Sequence, residues 1–278
     1  MSACVAIGAK VQVSDYLLWL SIALKVSFAA TVVVSAAAVA ERSGPLVAGL
    51  IMAMPISVGP AYVMLALTTS PQFIAACALG SVAANIAVAA FGMVYVLLAR
   101  RMPMPASLGL ALLALFIVAW LEQHWDPAPL PLLMVSSLAL VISSLATRHA
   151  LSGRKLLAGA TRWFDLPLRA LFVGLVAGAV VTLSHSIGPD WTGLLAAFPL
   201  VLTSSIILMQ PRVGAAATAA ALATAIQGIV IYPFAFLLIH WFSVDWGVWW
   251  AFLGALVAIV GWAALVFAWR APRSAMRL

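Results

Sequence analysis

Long apolar stretches separated by short polar clusters run along the whole chain. Nine of them reach or approach the ~20 residues a helix needs to cross a ~30 Å hydrocarbon layer. They cover 16–40, 46–67, 72–99, 106–121, 130–146, 166–183, 191–209, 213–239 and 246–269. The fourth and fifth are the shortest. The pattern predicts an all-α polytopic membrane protein of nine or ten spans, forming a single membrane domain over residues 1–278.

Composition sharpens this picture. Of the 278 residues 66% are hydrophobic and only 8% charged, with a mean hydropathy of +1.18; a soluble domain carries about a quarter charged residues. A soluble enzyme is excluded. The net charge of +7 would suggest nucleic acid in a soluble chain, but here the basic residues sit at loop ends. With the C-terminus in the cytoplasm, Arg42, Arg100, Arg101, Arg148, Arg154, Lys155, Arg162, Arg169, Arg212, Arg270, Arg273 and Arg277 fall on the inner side, twelve of the fourteen. Lys10 falls outside and Lys25 within the first span, while Glu122, Asp126, Asp190 and Asp245 occupy outer loops. Retention of Lys and Arg on the inner face sets orientation, so the N-terminus is expected in the periplasm. Ala38-Val39-Ala40 resembles a signal-peptide cleavage site, a reading opposed by the repeat described next.

Displaced by 144 positions, the sequence aligns with itself. Gly44-Pro45 through Pro55 lies over Gly188-Pro189 through Pro199, with six of twelve residues identical, and Lys25 over Arg169, Phe28 over Phe172 and Glu41 over His185. With two residues lost in the next loop, Asn85 falls over Gln227. The first copy covers 16–121 and the second 160–270; a connector helix and cytoplasmic loop fill 122–159. Equivalent helices lie five apart, an odd number, so the copies cross the bilayer in opposite senses. Inverted repeats are a recurring plan of secondary transporters, whose site lies near the midplane where helices are interrupted.

The candidate binding residues follow from that plan. Pro55 with Ser57, Gly59 and Pro60, and Pro199 with Thr203 and Ser204, interrupt the second helix of each copy. Proline frees backbone carbonyls that lipid cannot satisfy, although a packed kink has the same signature. Asn85 and Gln227 are mid-span amides, suited either to helix–helix hydrogen bonds or to a solute. Lys25 is an intramembrane cation, an anchor or an anion attractor. Glu41 and His185, at equivalent helix ends, are candidate coupling groups. Trp163, Trp191, Trp241, Trp246, Trp249 and Trp250 suit an interfacial belt, and the small residues of 214–225 suit close packing.

Other chemistries lack their residues. The sequence holds no phosphate loop, no HExxH and no acidic pair for magnesium, and adjacency of Ser184, His185 and Ser186 does not build a triad. Cys4 and Cys77 have no metal-ligand spacing and read as two unpaired small apolar residues, a disulfide between them being the alternative. No metal or cofactor is expected, apart from a coupling sodium ion or proton.

The stretch 168–241, with Arg169, Gly193-Leu194-Leu195-Ala196-Ala197-Phe198-Pro199, Tyr232-Pro233-Phe234 and His240-Trp241-Phe242, resembles the small bacterial inner-membrane proteins called GlpM, associated with alginate production. The first copy has the cation and the Gly49-Leu50 to Pro55 pattern but no Tyr-Pro pair. The resemblance implies a bacterial inner-membrane protein, a fused double of the smaller unit, and carries over no catalytic residues. The bile-acid/sodium symporter group is similar in general plan only.

The sequence therefore points to a non-enzymatic secondary transporter of the bacterial inner membrane. Its expected cargo is a small anionic or zwitterionic solute, its surroundings are lipid, nucleic acid is not a partner, and a homo-oligomer is compatible with it. The alternatives are an accessory subunit for envelope polysaccharide or lipid export and a membrane-embedded lipid enzyme. The assigned topology predicts that a green-fluorescent-protein fusion at the C-terminus fluoresces, whereas alkaline phosphatase fused after Asp245 is active. The opposite pattern would invert the orientation.

Overall fold

A computed structural model describes residues 58–125, 127–151 and 198–275, with the single positions 27, 31, 35, 186, 188, 189, 191, 192 and 195. All regular structure among them is helical. The helices are α1 (Val58–Thr68), α2 (Pro71–Leu98), α3 (Met104–Glu122), α4 (Pro129–Thr147), α5 (Leu200–Gly228), α6 (Tyr232–Asp245) and α7 (Val248–Ala275). Two 3-10 turns, Arg148–Leu151 and Ile229–Ile231, follow α4 and α5. Five segments, Pro71–Leu98, Met104–Glu122, Pro129–Ala150, Gln210–Asp245 and Val248–Val266, are long and apolar enough to cross a membrane. The expected span 166–183 lies outside the described residues, as does 16–40 apart from the helical positions 27, 31 and 35.

Local chemistry sets the helix starts. Ser70 caps α2, its Oγ accepting the Phe73 N–H at 3.3 Å, and Pro71 follows in the first turn, where its missing N–H costs nothing. Pro105 in α3 and Pro129 in α4 likewise occupy the first turn, there without a side-chain cap. At 19 residues each, α3 and α4 are about 28 Å long, enough for the hydrocarbon layer.

The alanine-rich helix α2 is the centre of the bundle, packed against α3, α4, α5 and α6. Ser136 and Ser143 of α4 donate to the carbonyls of Val82 and Ala89 at 2.8 and 3.1 Å. Both bonds join residues 54 apart, so α4 runs parallel to α2. The segment from Gly214 to Asp245 runs antiparallel to it. Near one end of that crossing Gly92 meets Ile226, and near the other His240 Nδ1 donates to the Ala75 carbonyl at 2.9 Å.

These directions sort the charges. Exposed Arg100, Arg101, Arg148 and Arg212 gather at the end where α2 and α4 finish, whereas His124, Trp125, Asp245 and Trp246 lie at the other. Between the ends, Leu113, Phe116 and Ile117 of α3, Met134, Leu138 and Ile142 of α4 and Val257 of α7 point outward, at 50% exposure or more. That apolar belt suits lipid contact.

Two breaks shape the second half. At Gly214, φ 80 and ψ 165 form a corner inside α5 that a side chain would strain, at the joint expected between the seventh and eighth spans. Tyr95 Oη donates to Gln210 Oε1 beside this corner, and both limbs contribute to one core through Ile206, Ala219, Leu222 and Ile226. The eighth span, expected to be continuous, is instead divided at Ile229–Ile231. Pro233 cannot donate to the carbonyl of Ile229, and the Tyr232 N–H takes that acceptor in a 3-10 bond.

A Cβ on Gly92 would lie 2.8 Å from Ile226 Cδ1 and 3.0 Å from Cγ1, and Ile226 is fully buried. Gly92→Leu is therefore expected to destabilise the protein by about 1–3 kcal/mol through overpacking. The check is a lowered melting temperature in detergent, partly restored by Ile226→Ala.

Candidate functional site

The expected site residues fall into three groups. Lys25, Glu41, Pro55, Ser57 and His185 lie outside the described residues. Gly59 and Pro60 are in the first turn described for α1, with Pro60 buried, beside the α1–α2 contact. The remainder occupy two interrupted regions packed on α2.

The first region is the crossing of α2 with the 3-10 turn at Ile229–Ile231. Asn85 is 3% exposed, and its Nδ2 donates to the Ser81 carbonyl at 2.7 Å, one turn back on the same helix. Ser81 Oγ is 2.7 Å from Tyr62 Oη of α1, and Tyr62 stacks at a tilt on Phe236 of α6 and edge-on against Phe252 of α7. Asn85 lies two helical turns before Gly92, on the α2 face that meets Ile226. On the facing segment, toward the Gly92 level, the Gln227 carbonyl accepts the Trp262 indole N–H at 3.2 Å. Val82, Ile86, Ile229, Ile231 and Tyr232 share the intervening core. The fold thus sets Asn85 and Gln227 on facing, antiparallel elements, with no hydrogen bond joining them among the described residues.

The second region surrounds Pro199. Positions 191, 192 and 195 are helical, Phe198 and Pro199 are not, and α5 restarts at Leu200. Pro199 is buried, with φ −78 and ψ 57, and its carbonyl accepts the Thr203 N–H at 2.8 Å. Upstream, Gly188 has a φ of 79 immediately before Pro189, a conformation that suits glycine. The Phe198 ring centroid lies 6.5 Å from that of Phe116, about two thirds of the way along α3, and Leu202 packs on the core shared by α2 and α3. The break is therefore at mid-depth, and the limb from Leu200 leads from there toward the arginine-rich end. Thr203 and Ser204 occupy its first turns. Thr203 Oγ1 is buried without a hydrogen-bond partner, a condition that costs about 1–3 kcal/mol.

Glu122 is the functional candidate that sequence reasoning placed elsewhere. Expected in an outer loop, it ends α3 with both carboxylate oxygens buried and unpaired. The carboxylate turns toward the backbone of Ala87 in α2 without making a hydrogen bond to it. The adjacent His124 does not reach it: its ring stacks on Trp120 at 4.6 Å, and its Nδ1 is 2.9 Å from the Trp120 carbonyl oxygen. Position in the sequence could not reveal this, because a helix-end acid reaches solvent or a groove according to which helix lies beside it.

Among the described residues no three acidic, His or Cys side chains gather as a metal site. Cys77 is fully buried in α2, and Cys4 lies outside the described residues. The exposed Trp241, Trp246, Trp249 and Trp250 cluster at the α6–α7 corner, where an interfacial belt belongs.

The chain matches no family model, no curated protein and no solved structure, so its membrane-protein character rests on its own helices.

Proposed function

We propose that this protein is a secondary carrier of the bacterial inner membrane, moving a small anionic or zwitterionic solute by alternating access. The observation that carries this reading is the mid-depth helix break at Pro199, followed by a buried Thr203 hydroxyl that makes no hydrogen bond. Soluble cores rarely leave such a group unmet. In a membrane, an interrupted helix with vacant hydrogen-bonding capacity is how carriers meet a solute, its N-terminal end turned toward a negative group.

Chain direction supports the doubled plan. The third and eighth spans, equivalent under the repeat, pack against each other in opposite senses on either side of Asn85 and Gln227. The fourth and ninth also run oppositely, since each forms a hairpin with one of those two. Gathering of arginines at one end supports a cytoplasmic location for that end. The carrier binds solute between the Pro199 break and the face of α2, and the two halves tilt about α2 to expose it alternately. No bond-making chemistry is required of it.

The test begins with a thermal-shift screen of organic anions and amino acids against detergent-solubilised protein, followed by uptake of the stabilising solutes into proteoliposomes. Thr203→Val keeps the shape and removes the unmet hydroxyl, so the variant should be as stable as the parent or more so, while uptake falls at least about tenfold, the equivalent of one lost hydrogen bond of ~1.4 kcal/mol. Asn85→Leu is expected to abolish uptake and leave a folded protein. Wild-type rates in both variants would overturn the assignment of these residues to the site.

A further inference from the structure

A carboxylate buried without a partner calls for an explanation that packing does not give. Glu122 is the sole charged residue of α1 to α4: Val58–Thr68, Pro71–Leu98, Met104–Glu122 and Pro129–Thr147 otherwise contain no Asp, Glu, Lys, Arg or His. Its oxygens are closed off from solvent in the seam between α3 and α2, beside Ala87. An ionised carboxylate held dry and unpaired costs several kcal/mol, even after the surroundings relax. Replacement by leucine or glutamine would remove that cost at once, yet the acid is present.

What would complete the group is a cation. A metal ion of the sodium or calcium type needs a cage of several oxygen ligands, and none of the described side chains contributes a hydrogen-bonding atom to Glu122. A proton needs only one oxygen.

Position favours the same occupant. Glu122 lies six residues beyond Phe116, the ring that meets Phe198 at the Pro199 break, and one turn before the exposed Trp125. It is therefore set between the mid-depth interruption and the tryptophan-rich surface. Of the elements packed on α3, α2 presents only Cys77 and Tyr95 as titratable groups, and α5 carries Arg212 at the opposite end of the bundle. On its own chain, His124 is already engaged with Trp120. Among the described residues, then, no charged group is set against Glu122, and its hydration changes whenever α3 and α2 separate.

We infer that Glu122 is the proton-binding group of this carrier, taking up a proton when the α2–α3 seam is closed and releasing it when movement of the seam admits water. The inference rests on the carrier reading and names its coupling ion. The step is simple protonation: the carboxylate gains one proton from the tryptophan-side aqueous phase, becomes neutral, and returns that proton to the other phase after the seam has moved. No redox partner enters.

The experiment pairs a direct proton readout with transport. Infrared difference spectra of the purified protein, recorded while the pH is stepped through the physiological range, should show a carboxylic-acid carbonyl band that disappears in Glu122→Gln and persists in Asp245→Asn. Glu122→Gln should melt at the wild-type temperature, because in the closed seam an amide of the same shape replaces a neutral acid; a purely structural role would lower it. In proteoliposomes given a mixture of radiolabelled organic anions and amino acids, a gradient of about one pH unit should drive about tenfold accumulation by the wild type. Glu122→Gln should show none while retaining solute exchange, and Glu122→Asp should shift the pH profile. A Glu122 band that does not change with pH, or gradient-driven accumulation intact in Glu122→Gln, overturns the inference. A titrating Glu122 in a protein that moves no solute would instead sink the carrier reading and leave the proton site standing.

Discussion

Lipid offers no hydrogen bond, and this constraint organises the molecule. Hydroxyl groups within the spans are turned back onto the backbone. Thr147 donates to the Ser143 carbonyl, Thr218 to Gly214, Thr224 to Ala220 and Ser243 to Ile239, each four residues earlier. Ser136 and Ser143 make the same bond across helices and tie α4 to α2. Where proline removes a donor, a substitute takes its place, as the Tyr232 N–H does for Ile229. Glu122 and Thr203 are the side chains among the described residues whose buried oxygens escape this rule. Their exception has meaning because the rule is otherwise kept so closely.

The same constraint explains why the breaks lie against α2. An interrupted helix facing lipid would leave carbonyls bare, whereas against α2 it meets protein on its inner side. Small residues make that approach feasible. Ala84, Ala87, Ala89 and Gly92 are buried, and the absence of a Cβ at Gly92 admits Ile226.

Much of this architecture was legible in the sequence because helix ends in membranes coincide with turn-forming residues. The expected spans 72–99, 106–121 and 130–146 agree to within two residues at each end with α2, α3 and α4. The joint near 210–212 is the Gly214 corner, displaced slightly because proline and arginine suggested a loop where the helix continues to turn. The Pro199 interruption was foreseen from the proline itself. The division at Ile229–Ile231 was not, since Ile, Val and Tyr around Pro233 keep the hydropathy high, and hydropathy does not distinguish one helical ladder from another. Hydropathy shows Asn85 as a mid-span amide, whereas its bond to the Ser81 carbonyl depends on the rotamer it takes inside the packed helix. Burial of Glu122 depends on the tilt of α3 against α2, a tertiary quantity that no local pattern encodes.

The alanine surface of α2 has a mechanical consequence. Ala84, Ala87, Ala89 and Gly92 are buried on it beside the bulkier Phe91 and Tyr95, so the surface alternates hollows with ridges. Ile226 seated over Gly92 occupies one such hollow and fixes how far the segment from Gly214 to Asp245 can be displaced along α2 before side chains collide.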